Sequence, residues 1–241
     1  MDKYGLIGKS LSHSFSKTFF EQFFKENNIN ASFQNFELES INQVNKVFNQ
    51  NLRGCCVTIP YKEKVIPFMD DLSEEANEIG AVNVIQFDGN RTIGHNSDAF
   101  GFQQSIKPFL TNKHERAIVL GTGGASKAVA FVLNKIGIDV IFVSRNPTSN
   151  KEFSYAEVNQ NMISACKLIV NCTPVGTFPN VNEKIEIPCE FLSIDHLVVD
   201  LIYNPEKTQF LKAAESQGAA ILNGYSMLKH QALKAWEIWN K

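Results

Sequence analysis

Residues 117–128 read A-I-V-L-G-T-G-G-A-S-K-A: an apolar strand, a turn holding three glycines, and the start of a helix. This segment constrains the chain towards a parallel, helix-covered sheet, because it leads a buried strand directly into a helix whose N-terminus favours an anion. Gly121 permits the tight turn, Thr122 follows it, and Gly123 lets the backbone approach a pyrophosphate; the amides of Gly124 and Ala125 open the helix. A glycine pattern alone is a weak signal, but the strand before and the helix after make it a dinucleotide-binding one. Ser126 stands where the third glycine of the usual fingerprint would be. An ordinary strand-to-helix turn does not need glycine at three of four successive positions.

The residues beyond this turn alternate in the same manner. Strands are expected at Asp139–Val143, Leu168–Asn171, Leu197–Leu201 and Ala219–Leu222, with helices after the glycine turn, after the first of these strands and after the third, which is the rhythm of a doubly wound sheet. The half before the turn predicts strands at Tyr4–Gly8, Phe33–Leu38 and Arg53–Ile59, and helices at Phe15–Asn28, Ile41–Asn51, Tyr61–Met69 and Ser73–Ile79. A hairpin joins Val82–Phe87 to Arg91–His95 through Asp88-Gly89-Asn90, and a helix runs from Asp98 to Leu110. The polar stretch Thr111–Arg116 is the best candidate boundary between the halves. The fold expected is α/β: two α/β domains with a cleft between them. The first has a mainly parallel sheet and spans residues 1–101, with a C-terminal helix, 225–241, packing back on it; the second is Rossmann-like and spans 102–224.

Composition excludes several classes. The formal charge is -2 and the pI about 6.2, with no long run of one sign, so no nucleic-acid or membrane-surface footprint is present. No stretch reaches the ~18 consecutive apolar residues of a membrane span. The N-terminal MDKYGLIGKS lacks the basic and apolar regions of a signal peptide, so a cytoplasmic location is expected. The 5 Cys have no C-x-x-C spacing and the 5 His no ligand spacing, so neither a disulfide framework nor a metal site is expected. The 19 Phe fall largely in helix-like patterns that read as core.

The end of the second Rossmann strand bears on the cofactor. An NAD enzyme usually places an acid there for the ribose hydroxyls, whereas this chain has Ser144-Arg145-Asn146. A carboxylate would repel a 2′-phosphate, and Arg145 can pair with one, so NADP(H) is favoured. The bland alternative for Arg145 is a solvated surface charge.

Several segments together resemble the shikimate dehydrogenase family across essentially the whole chain: His13-Ser14-Phe15-Ser16, Val57-Thr58-Ile59-Pro60-Tyr61-Lys62-Glu63, Gly80-Ala81-Val82-Asn83 and His95-Asn96-Ser97-Asp98. The resemblance continues through the glycine turn, Asn171-Cys172-Thr173-Pro174-Val175-Gly176, Asp200-Leu201-Ile202-Tyr203-Asn204-Pro205 and Asn223-Gly224-Tyr225, with Met227-Leu228 preceding Gln231. It implies an NADP-dependent oxidoreductase of aromatic amino acid (chorismate) biosynthesis that reversibly reduces 3-dehydroshikimate to shikimate. It also implies catalytic roles for Lys62 and Asp98. Ser14, Ser16 and Tyr203 would hold the substrate carboxylate, and Thr58, Lys62, Asn83, Asp98 and Gln231 its ring hydroxyls. Thr173, Leu201 and Gly224 would line the nicotinamide.

The chemistry of those residue types agrees. Reduction of a ketone needs a proton donor within about 3 Å of the developing alkoxide, and a Lys–Asp pair offers a cation and a carboxylate to orient it. Read singly, Lys62 and Asp98 would be a structural ion pair, and Ser14 and Ser16 helix N-caps. The chain departs from the family pattern at Lys17, Cys56, Ser97, Ala99 and Thr177, and Ser149 stands where a second basic residue of the 2′-phosphate site would be. Two other readings compete: a quinate/shikimate dehydrogenase using NAD or either cofactor, and a dinucleotide sensor that binds without turnover. A monomer or homodimer is expected.

Overall fold

Strand β1 (Asp2–Gly8) pairs in parallel with β2 (Ala31–Glu37) on one side and with β3 (Gly54–Val57) on the other. They belong to a computed structural model that describes residues 1–12 and 14–241; His13, part of the first family segment, lies outside the described residues. The chain divides into two units, Met1–Gly101 with Leu228–Lys241, and Phe102–Met227.

In the first unit a hairpin, β5 (Val84–Asp88) and β6 (Arg91–His95), turns at Gly89 with φ +58° and lies antiparallel to β3. A short strand, β4 (Asp71–Leu72), pairs in parallel with β6 and completes the order β2-β1-β3-β5-β6-β4. Side chains alternate across a strand, and neighbouring residues accordingly enter different cores. Leu6, Cys56 and Val84 join Phe20, Phe24 and Phe33, whereas Ile7, Cys55 and Ile85 join Val44, Val47 and Val65. The first of these cores is covered by α1 (Phe15–Glu26) and by the end of α8 (Tyr225–Trp239). The second lies under α2 (Val44–Phe48) and α3 (Glu74–Ile79), which adds Ala76 to it. Trp239 fastens the C-terminal helix. Its Nε1 donates to the carbonyl of Ile85 at 3.0 Å, and its ring lies 4.9 Å from Tyr4 and 5.2 Å from Phe20. Gly54 is required beneath it, since a Cβ there would come within 2.1 Å of the indole nitrogen.

Three expectations need correction. Tyr61–Met69 is no helix: it is a run of turns ending in a single 3-10 turn, Ile66–Phe68. Pro67 cannot donate a backbone hydrogen bond and restricts Ile66 before it, while the buried Tyr61 hydroxyl is tied to the Leu38 carbonyl. Ile41–Asn51 forms a 3-10 turn, Ile41–Gln43, followed by the short α2. The helix from Asp98, α4, ends at Ile106 and passes into a 3-10 turn at Lys107–Phe109, where Pro108 interrupts it.

The second unit is an all-parallel sheet of β7 (Arg116–Leu120), β8 (Asp139–Ser144), β9 (Glu152–Ser154), β10 (Leu168–Asn171), β11 (Leu197–Asp200) and β12 (Ala220–Asn223). Their order is β12-β11-β10-β7-β8-β9. Residues 117–120, 168–171 and 197–200 are buried throughout, as both faces of a parallel sheet must be covered. The covering helices are α5 (Gly124–Lys135), α6 (Gln160–Ala165) and α7 (Gln209–Ser216). The order reverses between β7 and β10, and ligands of such sheets bind beyond the carboxyl ends of the strands at that point. β9 went unanticipated because its three residues carry only one apolar side chain among polar neighbours. Among the described residues no helix is long and apolar enough to cross a membrane.

Replacing Trp239 with Ala removes the indole that anchors α8 and should cost about 3–5 kcal/mol of stability. Urea unfolding of the variant checks this; a loss below about 1 kcal/mol would show that the helix is held elsewhere.

Candidate active site

The first unit gathers its polar side chains at the carboxyl ends of β1 and β3 and around the start of α4. Lys62, on the turn that follows Pro60, donates from Nζ to Oδ2 of Asp98 at 2.6 Å, with side-chain exposures of 15% and 2%. Asp98 is the first residue of α4, where the helix dipole favours a negative charge. Its other oxygen, Oδ1, accepts from Nδ2 of Asn83 at 2.9 Å. Asn83 itself is buried and also approaches Ser97 Oγ and Gln231 Oε1, both at 3.1 Å. Its Oδ1 accepts from the Ser97 amide at 2.6 Å. Two hydrogens on one nitrogen face three acceptors, so Asn83 cannot serve all three at once.

Asn96 steadies the same corner. Its Oδ1 accepts from the Ala99 amide at 3.2 Å and its Nδ2 donates to the Ala81 carbonyl at 2.9 Å. Cys56 lies close by in charge terms. Burial pushes its thiol up to about 12, with the Asp98 carboxylate adding to the effect and the Lys62 ammonium opposing it. Lys62, Asp98, Asn83 and Gln231 are thus brought together. Ser14, Ser16 and Thr58 stand apart from that hydrogen-bonded cluster. Ser14 caps α1, accepting from the Lys17 amide at 3.3 Å, so its N-cap reading holds. Thr58 is half-buried directly after β3, and Tyr203 is half-buried on the second unit, in the segment after β11.

In the second unit the glycine turn joins β7 to α5. Gly121 has φ +99°, and a Cβ there would lie 3.1 Å from Thr173 Cγ2 and 3.3 Å from Ser126 Oγ. Gly123, the N-cap of α5, contributes no side-chain cap, and a Cβ on it would meet nothing within 4 Å. The helix therefore presents uncapped amides to open space, the arrangement that accepts a phosphate. Two buried hydroxyls, Ser126 Oγ at the start of α5 and Ser144 Oγ at the end of β8, have no hydrogen-bond partner. Ser126 follows the glycine turn and Ser144 closes β8, both at the carboxyl edge of the sheet, where ligands of such sheets bind. These residues fit the cofactor that the sequence implies.

Arg145 and Asn146 are exposed after β8. The Arg145 charge is near enough to Tyr155 to oppose the burial that raises that phenol. Glu152 clasps the same loop, accepting from the Thr148 amide at 2.8 Å. Thr173 is held by Asn171, whose Oδ1 accepts from both the Thr173 amide at 2.9 Å and its hydroxyl at 2.7 Å. Gly224 is obligatory, since a Cβ would sit 2.0 Å from the Leu201 carbonyl oxygen.

One residue was given no role by the sequence reading. Asp200 ends β11 fully buried, and burial pushes its carboxyl up to about 6 against hydrogen bonds from Thr208, Ile202 and Asn171. An acid closing the buried run Leu197-Val198-Val199 was the available signal.

The chain is similar to known proteins along nearly its whole length. Residues 6–85 match the family model described as the shikimate dehydrogenase substrate binding domain. A shikimate dehydrogenase (NADP(+)) of Carboxydothermus hydrogenoformans is 38% identical over 256 residues, covering 98% of this chain and 90% of that protein. The structure of a shikimate 5-dehydrogenase from Thermus thermophilus in complex with NADP(H) and shikimate has a TM-score of 0.87 and 30% identity, covering 99% of this chain and 93% of the other. A quinate dehydrogenase from Corynebacterium glutamicum in complex with NAD is also similar, at a TM-score of 0.86 and 26% identity over 99% of this chain and 92% of the other.

Gly121→Ala should destabilise the fold by more than about 1 kcal/mol, because Ala is strained at positive φ and its Cβ meets Thr173. A thermal unfolding midpoint equal to the parent's would contradict this.

Proposed function

This chain belongs to the shikimate dehydrogenase family, and we propose that it catalyses the reversible NADPH-dependent reduction of 3-dehydroshikimate to shikimate. The observation that carries the reading is the 2.6 Å contact between Lys62 Nζ and Asp98 Oδ2. NADPH, when bound, supplies a hydride to the ketone carbon. As the carbonyl pair becomes an alkoxide, the Lys62 ammonium gives its proton to that oxygen and is then reprotonated from solvent. Asp98 holds the ammonium in place and takes a share of its charge throughout; Asn83 keeps the carboxylate from turning.

The substrate is a polyol acid, and each hydroxyl it buries needs a partner. Thr58, Asn83, Asp98 and Gln231 are neutral or anionic groups suited to ring hydroxyls, and Ser14, Ser16 and Tyr203 carry hydroxyl donors suited to the carboxylate. The first unit is the substrate domain in this reading, and the second the cofactor domain. There Gly121, Thr122, Gly123, Gly124 and Ala125 receive the pyrophosphate, Ser144, Arg145 and Asn146 the adenosine end, and Thr173, Leu201 and Gly224 the nicotinamide. The missing acid after β8 supports NADP; the single arginine there, with Ser149 in place of a second base, leaves NAD with quinate as the reading to exclude. An absorbance assay pairing shikimate and quinate with NADP and NAD separates the two. Activity with quinate and NAD exceeding that with shikimate and NADP would overturn the assignment. A cytoplasmic location and a monomer or homodimer without nucleic acid complete the proposal, the last supported by a net charge of only -2.

Lys62→Ala should lower kcat by roughly 10²- to 10⁴-fold while NADPH still binds. A variant with parental kcat would remove Lys62 from the mechanism. Arg145→Ala should weaken NADP far more than NAD, because only NADP carries the phosphate that the guanidinium would pair with. Equal losses for both cofactors, measured by fluorescence titration, would reject that pairing.

A further inference from the structure

At the carboxyl edge of the second unit's sheet, three strand ends and one helix are tied to a single carboxylate. Asp200 Oδ1 accepts from Asn171 Nδ2 at 2.9 Å and from the Ile202 amide at 3.1 Å, and Oδ2 accepts from the Thr208 hydroxyl at 2.6 Å. Each partner controls a different segment. Asn171 holds Thr173 at both its amide and its hydroxyl, and the Thr173 hydroxyl in turn accepts from the Val175 amide at 3.3 Å. Thr208 caps α7 by accepting from the Leu211 amide, and it stands 3.7 Å from where a Cβ on Gly176 would be. Ile202 accepts from the Gly224 amide at 3.0 Å, which draws in the end of β12. The loop after β10 is also stitched to the segment after β11, with the Phe178 amide donating to the Asn204 carbonyl at 3.0 Å.

We propose that Asp200 is a positioning residue for hydride transfer, fixing the loop 172–177 through Asn171 and Thr208. This rests on the reading above that Thr173 and Gly224 line the nicotinamide. Three donors around one buried carboxylate exceed what is needed to end a strand, and all of them lead to residues flanking that ring. A carboxylate suits the place because it offers only acceptors, and its three partners are all donors. Asparagine can substitute: its oxygen receives Asn171 and Ile202, while its amide donates to the Thr208 oxygen. Alanine cannot, and it leaves three donors unpaired.

The test uses the full chain and compares Asp200→Ala, Asp200→Asn and Thr208→Val with the parent. Three quantities are measured: kcat with shikimate and NADP, KM for shikimate, and affinity for 2′,5′-ADP, a probe that lacks the nicotinamide half. Asp200→Ala and Thr208→Val should lose roughly 10- to 100-fold in kcat, as sub-ångström misplacement of a reacting group does. KM for shikimate and 2′,5′-ADP affinity should hold, and Asp200→Asn should recover most of the rate. If Asp200→Ala does not fold, Thr208→Val carries the decision. Parental kcat in either folded variant would overturn the inference, as would 2′,5′-ADP affinity falling in step with kcat, which marks general loss of structure. A parent chain that binds 2′,5′-ADP yet never oxidises shikimate would overturn the proposed reaction and this inference with it.

Discussion

A carboxylate taken out of water must be met by donors on both oxygens, and in the first unit that requirement is met at Asp98 by Lys62 on one side and Asn83 on the other. Everything else in that corner follows from it. Asn83 can serve Asp98 only while its own oxygen is held by the Ser97 amide, and Ser97 is held there because Asn96 caps the start of α4. The ion pair contributes little to stability after desolvation is subtracted. Its use is to keep an ammonium fixed beside a dry carboxylate, which is what a proton donor to an alkoxide requires.

The second unit solves a different problem with backbone alone. A diphosphate brings charge that side chains need not match, provided a helix N-terminus is left without a cap. Gly123 leaves it so, and its missing side chain opens space where the neighbouring Gly121, at φ +99°, is pressed against Thr173 and Ser126. The two glycines therefore do separate work, one bending the chain and the other clearing an approach. Ser126, in the place of a third glycine, adds a buried hydroxyl with no partner inside the protein.

How far the sequence could be read depended on whether a signal was local. The glycine turn, the Asp88-Gly89-Asn90 hairpin and the apolar runs at 168–171 and 197–200 are each set by a few adjacent residues, and each formed as expected. Tyr61–Met69 misled because its apolar spacing suits a helix, whereas Pro67 and the bond from Tyr61 to Leu38, 23 residues away, decide otherwise. Lys62, Asp98, Asn83 and Gln231 were legible as motif members that the resemblance sets around one substrate, but the direct hydrogen bond between Asn83 and Gln231, across 148 residues, could be stated only from coordinates. The acid that closes the run 197–199 was a signal for Asp200, but its partners were hidden for the same reason: the Asn171 and Thr208 side chains lie 29 and 8 residues distant.

The two buried carboxylates then explain each other by contrast. Asp98 faces a cation, so once Lys62 has given up its proton the buried carboxylate is left uncompensated, which draws a proton back to the amine. Among the described residues Asp200 is met by an amide side chain, a backbone amide and a hydroxyl, and burial pushes its carboxyl up to about 6 despite all three. Neutral donors rooted in the backbone are directional and carry no proton to give at neutral pH. A group that must move charge is given a titratable ion as its partner, and a group that must hold several chain segments in register is given donors rooted in those segments.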